Sequence, residues 1–141
     1  MSVSSQVLRV MSNMPEPDKK LLKQTESMLK SYNFISARLI ADKKSVEKLK
    51  KINLTRNLYC DKISALEDSI ALCELQIENI DSALEQIKDD FYFSIIPLKY
   101  FKLKSECTIS FKLNCDVSTV YRNKNRLLKI LCCYFYADEV F

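Results

Sequence analysis

Residues 109–126 read Ile109-Ser110-Phe111-Lys112-Leu113-Asn114-Cys115-Asp116-Val117-Ser118-Thr119-Val120-Tyr121-Arg122-Asn123-Lys124-Asn125-Arg126. Ile109 and Leu113 lie one helical turn apart, and Asn114 to Asp116 is a cluster of turn formers. Cys115 falls where the turn faces inward, and Asp116 stands where it can cap a second helix whose first inward residue is Val120. This is the spacing of a helix-turn-helix. Ile95, Ile96, Leu98, Tyr100 and Phe101 mark one further short helix upstream, joined to the motif by Lys102 to Ser105. Leu127, Leu128 and Leu131 carry the second helix of the motif onward, so that it is expected over 116–131.

The preceding part of the chain has a different rhythm. From Pro17, which suits a first helical turn, Leu21, Met28, Tyr32, Ile35, Leu39, Val46, Leu49 and Ile52 recur at sums of three and four. This predicts an amphipathic helix of about ten turns, ending at the Asn53–Asn57 turn cluster. A second helix follows in which Tyr59, Ile63, Leu66, Ile70, Cys73, Ile77, Ile80, Leu84, Ile87 and Phe91 alternate steps of four and three. Such a heptad seam must lie against another helix, either the chain's own first helix or a copy from a second chain. Ile63, Leu66, Ile70, Ile77, Ile80, Leu84 and Ile87 are the expected coiled-coil and dimer positions, while Leu72 and Leu75 lie off the seam and leave room for both arrangements. Residues 1–16 are Ser-rich without a sustained pattern and are expected to form a disordered lead.

Charge separates along the same lines. Residues 1–60 hold 12 Lys/Arg against 5 Asp/Glu, residues 61–90 hold 2 against 9, and residues 91–141 hold 8 against 4. A basic helix beside an acidic one favours an antiparallel hairpin, and the basic last block is the candidate for nucleic-acid contact. The expected organisation is therefore all-α: a lead over 1–16, a helical hairpin or coiled coil over 17–90, and a helix-turn-helix domain over 91–141.

Composition excludes most chemistry. The 141 residues include no Gly, so a P-loop, a dinucleotide-binding turn or a nucleophile elbow cannot be built. His is also absent, which removes most zinc sites and the Ser/His and Cys/His pairings of nucleophilic catalysis. The six cysteines form no CxxC pair and read as small core hydrophobes. Glu74, Glu78, Asp81 and Glu85 read as the solvated flank of the hairpin rather than as a metal or acid/base cluster. No enzyme activity, metal or cofactor is expected. Met1 to Met14 lacks a basic region followed by an apolar stretch, and the longest apolar run, Leu127 to Tyr136, is interrupted by Lys129. A cytoplasmic protein without a membrane partner is expected.

In a helix-turn-helix the N-terminal residues of the second helix meet base edges. Here Arg122 can be bidentate to guanine, Asn125 can read adenine, and Val117 or Thr119 can touch a thymine methyl. Ser118, Tyr121, Lys124 and Arg126 suit phosphates, as do Lys102 and Lys104.

The stretch from Ile80-Asp81-Ser82-Ala83-Leu84 through Lys99-Tyr100-Phe101, then Lys104-Ser105, Ile109, Leu113-Asn114, Ser118-Thr119-Val120-Tyr121-Arg122 and Arg126-Leu127-Leu128, resembles the ArpU and RinA type of phage transcriptional regulators. The resemblance covers residues 80–131. It implies a C-terminal domain similar to sigma factor region 4, a role at late genes of phages or prophages in a bacterial host cell, and Ser118, Thr119, Tyr121 and Arg122 as DNA-facing residues with Val120 inward. Pro97 departs from the family pattern and must begin a new helix or kink the existing one. Asn123 stands at a usually apolar inward position, where its amide needs a partner. The tail from Leu131 to Phe141 is unusually apolar and aromatic.

The expectation that follows is a sequence-specific regulator of transcription bound to double-stranded DNA, acting as a homodimer, with RNA polymerase as a further partner. The alternative is a helical adaptor whose heptads bind a protein and whose C-terminal helices only cap it.

Overall fold

The structure, a computed structural model, describes residues 17–56 and 58–136. Among them there is no strand. The elements are α1 (Lys19–Arg56), α2 (Cys60–Ile87), a π-helical segment (Pro97–Phe101), α3 (Glu106–Leu113) and α4 (Val117–Phe135). The expected lead over 1–16 lies outside the described residues. The chain divides into two compact units, one formed by Ser31–Asn79 and the other by residues up to Lys30 together with those from Ile80. This division differs from the boundary expected at residue 90: α1 up to Lys30 and α2 from Ile80 belong to the second unit.

In the unit Ser31–Asn79, α1 and α2 run antiparallel. Ser69 Oγ donates to Asp42 Oδ2 at 3.0 Å, and Lys50 Nζ lies 3.8 Å from Glu67 Oε2. Val46, Ile63 and Cys73 are buried between the helices, with Ile35, Leu39, Leu49, Leu66, Ile70 and Ile77 half-buried. The seam is thus used within the chain. Asn53 remains helical, although the sequence reads it as the start of the turn, and it spans the connection from there. Its Oδ1 accepts the Tyr59 N–H at 2.9 Å, and its Nδ2 lies 3.4 Å from Cys60 Sγ.

In the other unit, Asp18 rather than Pro17 starts α1: its carboxylate accepts the backbone N–H groups of Lys20 and Leu21, as an N-cap does. Leu21, Leu29, Ile80, Ala83, Leu84 and Ile87 are buried. Thr25 is fully buried and returns its hydroxyl to the Leu21 carbonyl at 2.9 Å. Phe91 was expected to continue the seam. It is instead 84% exposed, because α2 ends at Ile87 and the chain turns. The apolar tail is helical to Phe135, and Cys132 packs against Leu21 beside Leu22 and Tyr136. Phe141 lies outside the described residues.

Pro97 begins the π-helical segment, where its missing N–H costs no hydrogen bond, and the Lys102 N–H closes the segment on the Pro97 carbonyl at 2.9 Å. The chain then reverses through Leu103 at φ 56°, with the next N–H, from Lys104, reaching the Leu98 carbonyl. A left-handed backbone normally falls to glycine, and this chain has none. Since the Leu103 side chain is exposed, Leu103→Gly loses no packing and is expected to raise stability by about 1 kcal/mol, measurable as a higher denaturant midpoint at unchanged slope.

Ser105 caps α3 by accepting the Thr108 N–H at 3.2 Å. The helix ends in a left-handed Asn114, φ 55° and ψ 49°, with Asn114 N–H on the Phe111 carbonyl and Cys115 N–H on the Ser110 carbonyl. This pair of bonds is a Schellman closure in which asparagine takes the glycine position. Asp116 occupies the N-cap of α4, but its carboxylate makes no cap hydrogen bond; its carbonyl accepts the Val120 N–H. Ile95, Ile109 and Val120 are fully buried against one another, with Tyr92, Leu98, Leu113 and Cys115 around them. Not all cysteines are core residues: Cys73, Cys132 and Cys133 are buried, whereas Cys60 and Cys107 are exposed.

Candidate functional site

Helix α4 has two sharply different sides. Val120, Leu127, Leu128, Ile130, Leu131, Cys132 and Cys133 are buried. Ser118, Tyr121, Arg122 and Asn125, spaced so that they share one face over two turns, are exposed, and Val117 and Thr119 are half-buried beside them. Lys102 and Lys104 are exposed in the loop that precedes α3, and Lys112 is exposed in its last turn. Phe111 stands out at 86% exposure, next to a groove lined by Cys107, Ser110, Asn114, Cys115, Asp116 and Val117.

Two of the side chains expected at phosphates have other partners. Lys124 is buried with its ammonium 3.4 Å from Glu106 Oε1, an oxygen that Lys99 also reaches at 2.9 Å. Burial pushes the Glu106 carboxyl up, but the hydrogen bond from Lys99 and the charges of Lys99 and Lys124 outweigh it and hold the group below the ordinary carboxylate range. The Lys124 ammonium also lies 5.0 Å from the centre of the Tyr121 ring, so the cation fixes the aromatic face that α4 displays.

Arg126 closes a bidentate pair on Asp90, with both N···O distances at 2.8 Å. The hydrogen bonds from the guanidinium and the charge of Asp90 raise the Arg126 pKa further above its ordinary value, against the effect of burial. Arg126 Nε also donates to Asn123 Oδ1 at 3.2 Å, while Asn123 Nδ2 donates to the Thr119 carbonyl at 2.9 Å. The polar residue at an inward position is thereby satisfied on both ends of its amide. In the same unit, the Tyr100 hydroxyl donates to Glu26 at 2.6 Å, and burial, followed by that carboxylate, drives the phenol pKa far upward.

Lys124 and Arg126 thus serve the interior, and the stripe available to a ligand narrows to Ser118, Tyr121, Arg122 and Asn125, with Lys104 in the neighbouring loop. Arg122 makes no ion pair or side-chain hydrogen bond among the described residues. Sequence reasoning missed Asp90 and Glu106, the carboxylates that organise the site. Asp90 stands beside Asp89 after the seam and Glu106 directly after the Lys102–Ser105 connection, and neither position points to a distant cation.

Comparison of the chain with protein-family models, with curated proteins and with solved structures returns no match. No group of three or more His, Cys, Asp or Glu side chains among the described residues could hold a metal ion, and no described helix is long and apolar enough to cross a membrane.

Proposed function

We propose that this chain is a sequence-specific transcriptional regulator of the phage or prophage late-gene type, which reads the major groove of double-stranded DNA with the first turns of α4. The observation that carries this reading is the α4 stripe. Four side chains able to reach base edges or phosphates are exposed on the start of a helix whose opposite side is buried, directly after a tight turn, and the guanidinium among them has no internal partner among the described residues. A helix held this rigidly presents side chains at fixed spacing, which is what direct readout requires. The element order, two short helical segments followed by a turn and a longer helix, also supports a head similar to sigma factor region 4. Arg122 reads guanine, Asn125 reads adenine, and Val117 and Thr119 line the thymine methyl. Ser118, Tyr121, Lys102 and Lys104 take the phosphates, and RNA polymerase is the protein this regulator acts upon.

The test is selection of genomic DNA fragments on the purified protein at low and moderate salt, followed by sequencing of what is retained. A regulator enriches one or a few loci. Its affinity falls with salt with a log-log slope of about −0.9 per phosphate contacted. Uniform or absent retention at both salt concentrations would sink the reading and leave the helical adaptor.

A further inference from the structure

The heptad seam is closed within the chain, yet the hairpin of Ser31–Asn79 carries a second apolar pattern that the seam does not use. Phe34 is 69% exposed and Ile52 45% on α1; Leu58, just before α2, is 65% exposed and Leu72 on α2 58%. Ala41 and Ala65 are exposed as well. Two hydrogen-bonded or ion-paired contacts show which side of the hairpin these residues occupy. Asp42 and Ser69 bond across one side of the seam, and Lys50 and Glu67 pair across the other. At 3.6 residues per turn, Phe34, Ala41 and Ile52 lie on the Asp42 side of α1, about 120–140° from the seam. Ala65 and Leu72 lie on the Ser69 side of α2, about 120–140° from it, and Leu58 precedes the helix by two residues. Phe34, Ala41, Ile52, Ala65 and Leu72 therefore share one face with the Arg38–Asp42 pair, small and large side chains alternating along it, while the opposite face carries the Lys50–Glu67 pair and the exposed Ile40 and Leu54.

The rims of this face carry opposite charge. Lys44, Lys48 and Lys51 stand along the outer edge of α1, and Asp61 and Asp68 along the outer edge of α2, all exposed and none in an ion pair among the described residues. The register set by Asp42 with Ser69 and by Asn53 with Cys60 puts the stretch Lys44–Lys51 level with Asp61–Asp68. They lie on opposite edges of one hairpin, too far apart to pair within it.

From this we infer that the face is covered by a second copy of the chain, the two hairpins stacking into a four-helix bundle with a two-fold axis parallel to the helices. That axis sets α1 of each copy antiparallel to α2 of the other. Ala41 then lies opposite Leu72 of the partner, and each lysine edge meets the partner's aspartate edge. A two-fold axis across the helices would instead set α1 on α1 and lysine on lysine, so the charge pattern selects one arrangement and disfavours the other. A bundle of this kind packs alternating small and large residues against one another, with the Arg38–Asp42 pair lying beside them on the same face.

The inference is independent of DNA reading, and its test is self-association of the full chain, measured by sedimentation equilibrium over a wide concentration range. The wild type is expected to be a dimer at micromolar concentration. Leu72→Glu is expected to weaken the dimer by at least about tenfold, whereas Ile40→Glu, on the opposite face, leaves it unchanged. Reversing Lys44, Lys48 and Lys51 to Glu also dissociates it, and reversing Asp61 and Asp68 to Lys in the same chain restores it. Circular dichroism confirms that each variant keeps its helices. A monomeric wild type overturns the inference, as does a Leu72→Glu variant that associates as strongly as the wild type or a charge reversal that leaves the dimer intact.

Discussion

Arg126→Ala is expected to destabilise the protein by about 2–3 kcal/mol, the loss typical when a buried charged group forfeits its hydrogen-bond partner. The asymmetry of the pair decides which member matters more. The Asp90 side chain is 1% exposed and that of Arg126 40%. Without Arg126 the buried carboxylate keeps only part of its support, including the N–H of Tyr92 at 2.9 Å. Without Asp90 the guanidinium can still rehydrate. Asp90→Asn alone is therefore expected to cost less, about 1–2 kcal/mol, and Asp90→Asn combined with Arg126→Ala less than the two single losses added together. Denaturant unfolding of the three variants and the wild type at pH 7 measures all of this. Losses that simply add in the double variant would show that Arg126 acts through packing alone.

These same residues mark where the fold was legible in the sequence and where it was not. The α2 seam follows a period of 3.5 residues from Ile63 to Ile87, and a period is visible in one dimension. The turn at Asn114 is legible for a related reason: in a chain without glycine, asparagine is the residue best able to enter the left-handed region. Phe91 shows the limit of counting, since the period passes arithmetically through Asp89 and Asp90 while the backbone does not. Leu29 and Thr25, both fully buried, escaped the period because α1 is covered there by more than the helix it was matched with. Lys124 and Arg126 escaped for a different reason. On a helix that displays Arg122 and Asn125, two more cations look like part of the same stripe, and only the carboxylates of Glu106 and Asp90, 18 and 36 residues away, take them out of it. A long-range ion pair leaves no local signature. Leu103 had no signal at all, because nothing in Lys102-Leu103-Lys104 asks for a positive φ.

Arg122→Ala should sharply reduce discrimination while leaving the fold intact. Its side chain is exposed and has no partner among the described residues, so truncation removes no internal bond, and stability is expected to change by less than about 0.5 kcal/mol. A bidentate arginine on guanine contributes about 1–3 kcal/mol of discrimination, so the loci enriched by the wild type should lose roughly tenfold to more than a hundredfold in affinity. Affinity for unrelated DNA should fall far less, because the exposed Lys102 and Lys104 remain. Lys104→Ala provides the contrast. A phosphate contact carries no sequence information, so its removal should weaken specific and unrelated DNA alike and reduce the salt slope by about one. The two variants thus move different observables: the ratio of specific to nonspecific affinity for Arg122, and the slope of log affinity against log salt for Lys104. If Arg122→Ala lowers both affinities equally, Arg122 is a phosphate contact and the reading residue lies elsewhere on the stripe, with Asn125 next to be tested. If neither variant changes DNA binding, α4 is not the reading helix. Its exposed stripe would then face a protein, and the interior pairs of Lys124 and Arg126 would serve only to hold the helix in place.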